Sequence, residues 1–575
     1  MDISNAKIAE VIGAMGEYLA MQGVAFKPRA YEKAAEAISS LAEPVLAIYK
    51  KGGLKELEKI PGVGRSIGEK MEELILRGKI KEYEELRKRI PVDLAELSSI
   101  EGLGPKSIKK LYEKLKIKNL EDLEKAGRKG KIRELAGFGE KAEAKILKGI
   151  EFQKKSEGRL PIGRALPIAK IIEKKLSEVP GVEKCVIAGS LRRRKETIGD
   201  IDILVVSKKP ELVIKKFIVL PEVARVLAQG PTKSSVTLDA GLDADLRVVE
   251  PAAYGAALNY FTGSKDHNIA LREIAVKKGL KLNEYGLWKG EKRIAGKAEE
   301  ELYKALGLGY IHPEMRENTG EIESSRKRML PNPIEYGSLL GDLQTQTSWT
   351  DGANSIEEMA VAATKAGLKY FVVTDHTKRL AMTGGLDEKK LLKQMAEIDK
   401  LNKKFAGRIK ILKGSECDIL KDGSLDIADE VLSKLDVVGI SVHSYFNLSR
   451  EEQTARILKA MENKNADILF HPTGRVLGRR EPYDVDMDAI IKQAKKTGTI
   501  LEIDAYPDRL DLKDEYIRKC VEAGVKMSID SDAHAVSHFE FLEYGIANAR
   551  RGWAKKSDII NAWPVEKMLS SLKRG

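Results

Sequence analysis

Two aspartates two residues apart, Asp200 and Asp202 in Gly199-Asp200-Ile201-Asp202, are the sharpest chemical signal in the chain. On a β-strand their side chains emerge on one face. Carboxylates so placed suit Mg²⁺, which takes few protein oxygens and completes its shell with phosphate oxygens. Upstream, Gly189-Ser190 follows a strand-like segment and offers backbone and hydroxyl donors to a triphosphate, with Arg192, Arg193 and Arg194 adding charge. Downstream, Asp245 in Asp243-Ala244-Asp245-Leu246-Arg247 supplies a third strand acid. Asp243 competes for that role, but the apolar run after Asp245 places the latter better inside a strand. An Asp-x-Asp pair alone is more often a solvated strand edge; the three features together point to nucleotidyl transfer.

A second constellation occupies the C-terminal half. Asp375-His376, Glu416, His443, His471 and Asp532-Ala533-His534 fall at or just beyond the ends of strand-like segments. Strand ends at one barrel face are where ligands converge. Four of the seven histidines sit there, leaving His267, His312 and His538 unassigned. Such a set predicts a metal site, and mixed His and carboxylate donors suit Zn²⁺ or Mn²⁺.

The elements that must carry these residues differ along the chain. Residues 1–150 read as helical, with apolar positions at helical spacing. Three glycine turns recur there at Gly62-Val63-Gly64, Gly102-Leu103-Gly104 and Gly137-Phe138-Gly139, each before a Lys-rich helical segment. Such turns present backbone N–H groups at a helix N-terminus, a grip on phosphate that ignores base sequence. From about 181, Val186–Ala188, Ile201–Val206 and Asp245–Val249 read as strands, and helical patterns return at 265–279 and 297–306. A polar stretch at 313–335, with Pro313, Pro331 and Pro333, reads as a linker. Beyond it, strand-like runs at 370–374, 409–412, 437–442, 468–470, 500–503 and 526–529 alternate with helices, predicting a barrel-like α/β domain.

Composition agrees. At 575 residues the chain has room for about four domains. Its net charge is +13, yet residues 1–300 carry 58 Lys+Arg against 44 Asp+Glu, and residues 301–575 carry 42 against 43. The cationic excess thus belongs to the N-terminal half and points to a polyanionic partner there. Three scattered cysteines (Cys185, Cys417, Cys520) exclude a disulfide framework and a cysteine-based zinc finger. Acids at Asp2, Glu10 and Glu17 argue against a signal peptide, and no run of about 18 apolar residues predicts a membrane helix, so a cytoplasmic protein is expected.

The first two glycine turns resemble the helix-hairpin-helix motif of DNA-repair proteins; the third is a looser match, with Ala136 before its glycine. Gly189-Ser190, Asp200-x-Asp202, Asp245 and Tyr260-Phe261-Thr262-Gly263-Ser264 follow in the order seen in family X DNA polymerases, a resemblance covering residues 1–320. It implies a helical lyase-like domain (1–85), helical fingers (86–155), an α+β nucleotidyltransferase palm (156–250) and a small thumb (251–315). It also implies that Asp200, Asp202 and Asp245 hold two Mg²⁺ ions, and that Gly189, Ser190 and Arg193 bind the triphosphate of a dNTP. Tyr260 and Phe261 would lie against its sugar beside Gly263, with Asn268 and Arg272 near the nascent base pair. Gly62, Gly64, Gly102 and Gly104 would grip the DNA backbone. Lys70 matches the Schiff-base lysine of 5′-deoxyribose-phosphate removal, and Lys27 and Tyr31 match nearby phosphate-binding positions. Ser66 stands where a helping lysine is often found.

Residues 336–575, after a linker at 316–335, resemble the polymerase-and-histidinol-phosphatase (PHP) domain, a metal-dependent distorted (β/α)7 barrel. The resemblance assigns Asp351, His376, Glu416, His443, His471, Asp532 and His534 to its metal cluster. One departure stands out: the family's opening His-x-His pair is replaced by Gln344 and Gln346. Glutamine is the poorer ligand for Zn²⁺ or Mn²⁺, so two alternatives stand open for the implied 3′–5′ exonuclease or 3′-phosphatase chemistry: a partial site that still works, or one impaired by Gln344 and Gln346. The expectation is a monomeric, Mg²⁺-dependent DNA-repair polymerase acting on gapped or nicked DNA. Its rivals are a DNA-binding platform whose working part is the PHP nuclease, and a nucleotidyltransferase with a non-DNA substrate.

Overall fold

The computed structural model describes every residue except 1, 2, 4, 40, 42, 101, 157, 574 and 575. Asp2 and Glu101 therefore lie outside the described residues. Up to residue 156 the regular elements are helices. In the helix Arg65–Arg77, Ile67, Met71 and Leu74 recur at helical spacing and are buried. They join Ile8, Ile12, Met15, Ile108 and Leu111 in one core. The three glycine turns share a conformation: Gly62, Gly102 and Gly137 have φ of +77°, +87° and +84°. That region favours glycine, and a Cβ on Gly62 would also press on the backbone of Lys33 and Ala34. The third turn, looser in sequence, thus folds like the other two.

The palm is a five-stranded sheet ordered Val182–Ile187, Asp200–Ser207, Asp243–Val249, Lys233–Leu238 and Val223–Gln229. Its pairs are antiparallel except Asp200–Ser207 with Asp243–Val249, which run parallel. One face is covered by the helices Ile162–Ser177 and Pro210–Ile218 through Ile172, Val213, Phe217, Ile203 and Leu246. The other face carries the acids at one end, and the helix Tyr254–Thr262 packs over Leu204 through Ala257 and Leu258. The helices Tyr254–Thr262 and Lys265–Lys277 and a small three-stranded antiparallel sheet follow.

The segment expected as a linker is not a free tether. It carries a short helix, Glu321–Arg326, and Arg316 and Glu321 are fully buried. Each charge has a distant partner. Arg316 pairs with Glu299 at 2.5 Å, and Glu321 accepts from the ring of His267 at 2.6 Å. Buried charges persist when paired.

The C-terminal half is a seven-stranded parallel sheet whose strands, Gly341–Thr345, Tyr370–Val373, Lys410–Asp418, Val437–Ser441, Ile468–Leu469, Ile500–Asp504 and Met527–Asp530, pair in chain order. A parallel bridge from Thr345 to Ala533 joins last to first and makes it a barrel. Among the described residues, no helix is long and apolar enough to cross a membrane.

Candidate active sites

Asp202 lies in register with Asp245, and Asp200 with Asp243, across the parallel strand pair. Alternation turns these acids away from the buried Ile201, Ile203, Ala244 and Leu246. Asp245 is therefore the direct neighbour of Asp202, while Asp243 is exposed and accepts from Thr237 Oγ1 at 2.8 Å. Asp245 meanwhile accepts from the hydroxyl of Ser235. Burial, then the charges of Asp200 and Asp245, push Asp202 up to about 7 against the pull of Arg193 and Arg247. Carboxylates crowded until one resists ionisation fit divalent cations, which repay the repulsion.

Gly189 lets the turn come so close. Its φ is +61°, and a Cβ there would overlap Oδ2 of Asp202. Beside it, the buried hydroxyl of Ser190 has no hydrogen-bond partner among the described residues. Arg193 donates through Nε to Glu317 Oε1 at 3.0 Å and through Nη1 to the carbonyl of Thr262. A Cβ on Gly263 would also meet that guanidinium. The Tyr260 and Phe261 rings stand edge to face at 5.1 Å, and the Arg247 guanidinium lies 5.3 Å from the Phe261 centroid. Asn268 donates to the Tyr260 carbonyl at 2.7 Å and leaves its own buried Oδ1 without a partner among the described residues. Arg272, one turn further along the helix, is half-buried.

At the C-terminal ends of the barrel strands, Glu416 is the hub. His471 Nε2 stands 2.8 Å and His443 Nε2 3.1 Å from its Oε1, and His376 Nδ1 3.2 Å from its Oε2. Burial opposes ionisation of Glu416, but His376 and His443 overcome it and hold the carboxyl well below the usual range. Burial likewise opposes charge on His443, yet Glu416 and Asp418 push it up to about 9. His471 is held down at about 3 by burial and by Arg509. Asp351 lies 3.6 Å from His376 Nε2 and 3.9 Å from His534 Nε2, and His534 Nδ1 lies 3.8 Å from Asp532.

Two trios, Asp351–His376–His534 and His376–Glu416–His443, bring their donor atoms within 4.8 Å of one another, a spacing one cation can bridge. Asp351 Oδ1 and His471 Nδ1 are buried without hydrogen-bond partners among the described residues, as donors awaiting an ion would be. Gln346 Oε1 is likewise buried without a partner among the described residues, but the amide nitrogens of the substituted positions are engaged. Gln346 Nε2 donates to Glu416 Oε2 at 2.8 Å, and Gln344, with its amide nitrogen facing the carboxylate, donates to Glu502. The retained ligands fit a metal; the two glutamines occupy carboxylate oxygens instead.

Comparison with known proteins places this geometry. Sequence models match for a helix-hairpin-helix domain (3–80), a SAM-like helix-hairpin-helix tandem (94–151), the DNA polymerase beta palm (159–241) and thumb (257–317), and the PHP domain (342–506). The chain is 38% identical to "DNA polymerase/3′-5′ exonuclease PolX" of Bacillus subtilis over 99% of both chains. This chain is a family X DNA polymerase with a PHP domain. It is also 28% identical to DNA polymerase lambda of Rattus norvegicus across 54% of its length and 56% of that protein, and 32% identical to a probable phosphatase of Thermoanaerobacter across 37% of its length and 86% of that protein. Membership implies DNA and dNTP substrates and metal-dependent chemistry in both halves. Asp245, Asp532 and His534 lie outside the matched stretches and rest on the geometry above.

In the polymerase's first helical domain, Lys70 Nζ pairs with Glu82 at 3.0 Å and lies 3.5 Å from Ser66 Oγ. Burial works to lower its pKa, but Glu82 and Tyr31 together raise it above the usual lysine value. Lys27 opens the helix Lys27–Ser39, which also carries Tyr31. The unassigned histidines are structural. His267 is buried between Glu321 and Tyr303 OH (2.9 Å), His312 Nδ1 faces Arg550 at 3.1 Å, and His538 Nδ1 accepts from the His534 backbone at 3.2 Å.

Sequence reasoning missed the acids beneath the PHP site. Asp418 accepts from the His443 backbone at 3.1 Å, Glu502 accepts from the His471 backbone at 2.5 Å, and Asp504 lies 3.5 Å from Arg509, whose other side faces the expected Asp532 at 3.7 Å. A signal existed: Glu502 and Asp504 interrupt an otherwise apolar strand, which only a satisfied interior would tolerate.

Proposed function

We propose that the polymerase half fills short gaps in DNA with dNTPs, and that Asp200, Asp202 and Asp245 are its catalytic acids. The single observation that carries this is the register of Asp202 beside Asp245, with Gly189 and the unpartnered Ser190 hydroxyl against them. These acids would hold two Mg²⁺ ions, which supply charge neutralisation for the primer 3′-hydroxyl and the pyrophosphate leaving group. Gly189, Ser190 and Arg193 grip the triphosphate. Tyr260 and Phe261 bound the sugar, and Asn268 and Arg272 face the nascent pair. The glycine turns at Gly62, Gly64, Gly102 and Gly104, with Lys27 and Tyr31, hold the DNA backbone. Domain limits at 85, 155, 250, 315 and 335 follow this division of labour, and we take the protein to be a cytoplasmic monomer. The test is primer extension on gapped duplex. Asp202→Ala is expected to abolish extension while gapped-DNA binding persists; extension by that variant refutes the assignment.

The PHP half is proposed to process 3′ ends by 3′–5′ exonuclease or phosphatase chemistry. Zn²⁺ or Mn²⁺ would be held by Asp351, His376, Glu416, His443, His471, Asp532 and His534. The two donor trios favour this reading, and the amides of Gln344 and Gln346 weaken it. Removal of a 5′-deoxyribose phosphate by Lys70 is the least supported activity, given its pairing with Glu82.

A further inference from the structure

Arg551 belongs to the barrel domain, at the end of the helix Leu542–Arg551, and its side chain is only 2% exposed. Yet its guanidinium leaves its own domain. Nη1 donates to the main-chain oxygen of Arg193 at 3.2 Å and to Glu317 Oε1 at 3.2 Å, while Nη2 is bonded to Asp514. The same Glu317 oxygen accepts from Arg193 Nε at 3.0 Å. One carboxylate oxygen therefore joins the arginine of the nucleotide turn to an arginine of the barrel.

The neighbouring residues repeat the pattern. Arg475 of the barrel pairs with Glu196 at 3.2 Å through Nη1. The guanidiniums of Arg194 and Arg550 both lie over the Tyr336 ring, at 5.8 and 5.1 Å. The palm loop between Gly189 and the Asp200 strand is thus held from the barrel side at residues 193, 194 and 196.

The consequence for Arg193 is specific. Two of its three guanidinium nitrogens are engaged, by Glu317 and by the Thr262 carbonyl. Nη2 has no partner among the described residues and remains for a ligand. Around it stand three cations, Arg193, Lys195 and Arg551, against two carboxylates, Glu317 and Asp514. An arginine side chain has much rotamer freedom to lose, and restricting it before the ligand arrives favours binding.

We propose that Arg551 is a positioning residue of the polymerase: acting through Glu317 and the Arg193 backbone, it sets the triphosphate arginine in place. Nucleotide affinity in the palm thereby depends on a side chain of the barrel domain. The proposal rests on reading Arg193 as a triphosphate contact.

The test is single-nucleotide gap filling by the full chain. Arg551→Ala is expected to raise KM for dNTP about tenfold with kcat within about twofold of the parent, and with gapped-DNA affinity unchanged. Arg551→Lys, which keeps one donor toward Glu317, recovers part of the loss. Arg193→Ala raises KM as well, and the double variant adds little further, because the two act through one link. Thermal melting checks that each variant is folded. Should Arg551→Ala fail to fold, Glu317→Gln, which removes the shared charge, is expected to raise KM in its place. A folded Arg551→Ala or Glu317→Gln with the parent's KM overturns the proposal while the role of Arg193 stands. If Arg193→Ala itself leaves KM unchanged, the triphosphate reading of Arg193 falls.

Discussion

Gln346 Nε2 stands 2.8 Å from Glu416 Oε2, the same oxygen that His376 Nδ1 faces at 3.2 Å. An amide N–H directed at a carboxylate takes up a lone pair that a cation would otherwise use. Gln344 does the same to Glu502. Replacing both glutamines by histidine exchanges donors for ligands. The Gln344→His/Gln346→His variant is expected to retain at least one more Mn²⁺ per chain after dialysis, measured by elemental analysis. It should also shorten 3′ ends about tenfold faster or more, the scale on which altered ligand surroundings change metal sites. Equal metal content in the two proteins would remove the argument.

The approach of Gly189 to Asp202 makes a different demand. An alanine there meets both an unfavourable φ of +61° and the carboxylate of Asp202. The turn or the acid must then shift, and displacement of about 1 Å near reacting groups can cost about 100-fold in rate. Gly189→Ala is expected to lose that much in single-turnover extension with gapped-DNA affinity unaltered. Near-parental extension would show that the turn does not shape the site.

Lys70 would attack a deoxyribose carbon only as the neutral amine. Glu82 at 3.0 Å, with Tyr31, favours the ammonium form. Glu82→Gln is therefore expected to increase borohydride-trapped adduct with 5′-deoxyribose-phosphate DNA severalfold at neutral pH. Adduct that is abundant in the parent and unchanged in the variant would mean that the pairing does not restrain the lysine.

What could be read from sequence follows from where the physics is local. Barrel strands such as Tyr370–Val373 and Val437–Ser441 are buried on both sides, and their continuous apolar runs announce them. Gly341–Thr345 escaped because Asp342 and Gln344 make it look polar. It is nonetheless fully buried, with Asp342 accepting from the Ser531 backbone at 3.1 Å. Val223–Gln229 escaped as a largely exposed edge strand. The 316–335 stretch reads as solvated because the partners of Arg316 and Glu321 are distant in sequence. Site residues were legible where spacing sets the geometry, as for Asp200 and Asp202. Arg551 and Glu317 were not, since their roles arise only when two domains meet.

The burial of Glu299 within the thumb yields a test by acid. Arg192 grips its carboxylate at 2.9 and 2.7 Å, Arg316 adds a third contact at 2.5 Å, and Arg192 also donates to Thr262 Oγ1 at 2.7 Å. Burial opposes ionisation of Glu299, but Arg316 and Arg192 prevail and hold it at about 2, below the ordinary 4.5. A pKa depressed by folding contributes stability that is complete above the unfolded value and is lost as pH falls toward the folded one. The shift corresponds to about 3 kcal/mol. Glu299→Gln is therefore expected to melt earlier than the parent by a constant margin from pH 7 down to about 5, a margin that narrows below about 4.5 and has lost more than half its size by about pH 3. Melting curves of both proteins across that range measure it. A margin that does not change with pH would mean that the Arg192–Glu299–Arg316 triad contributes packing and hydrogen bonding but no net charge stabilisation.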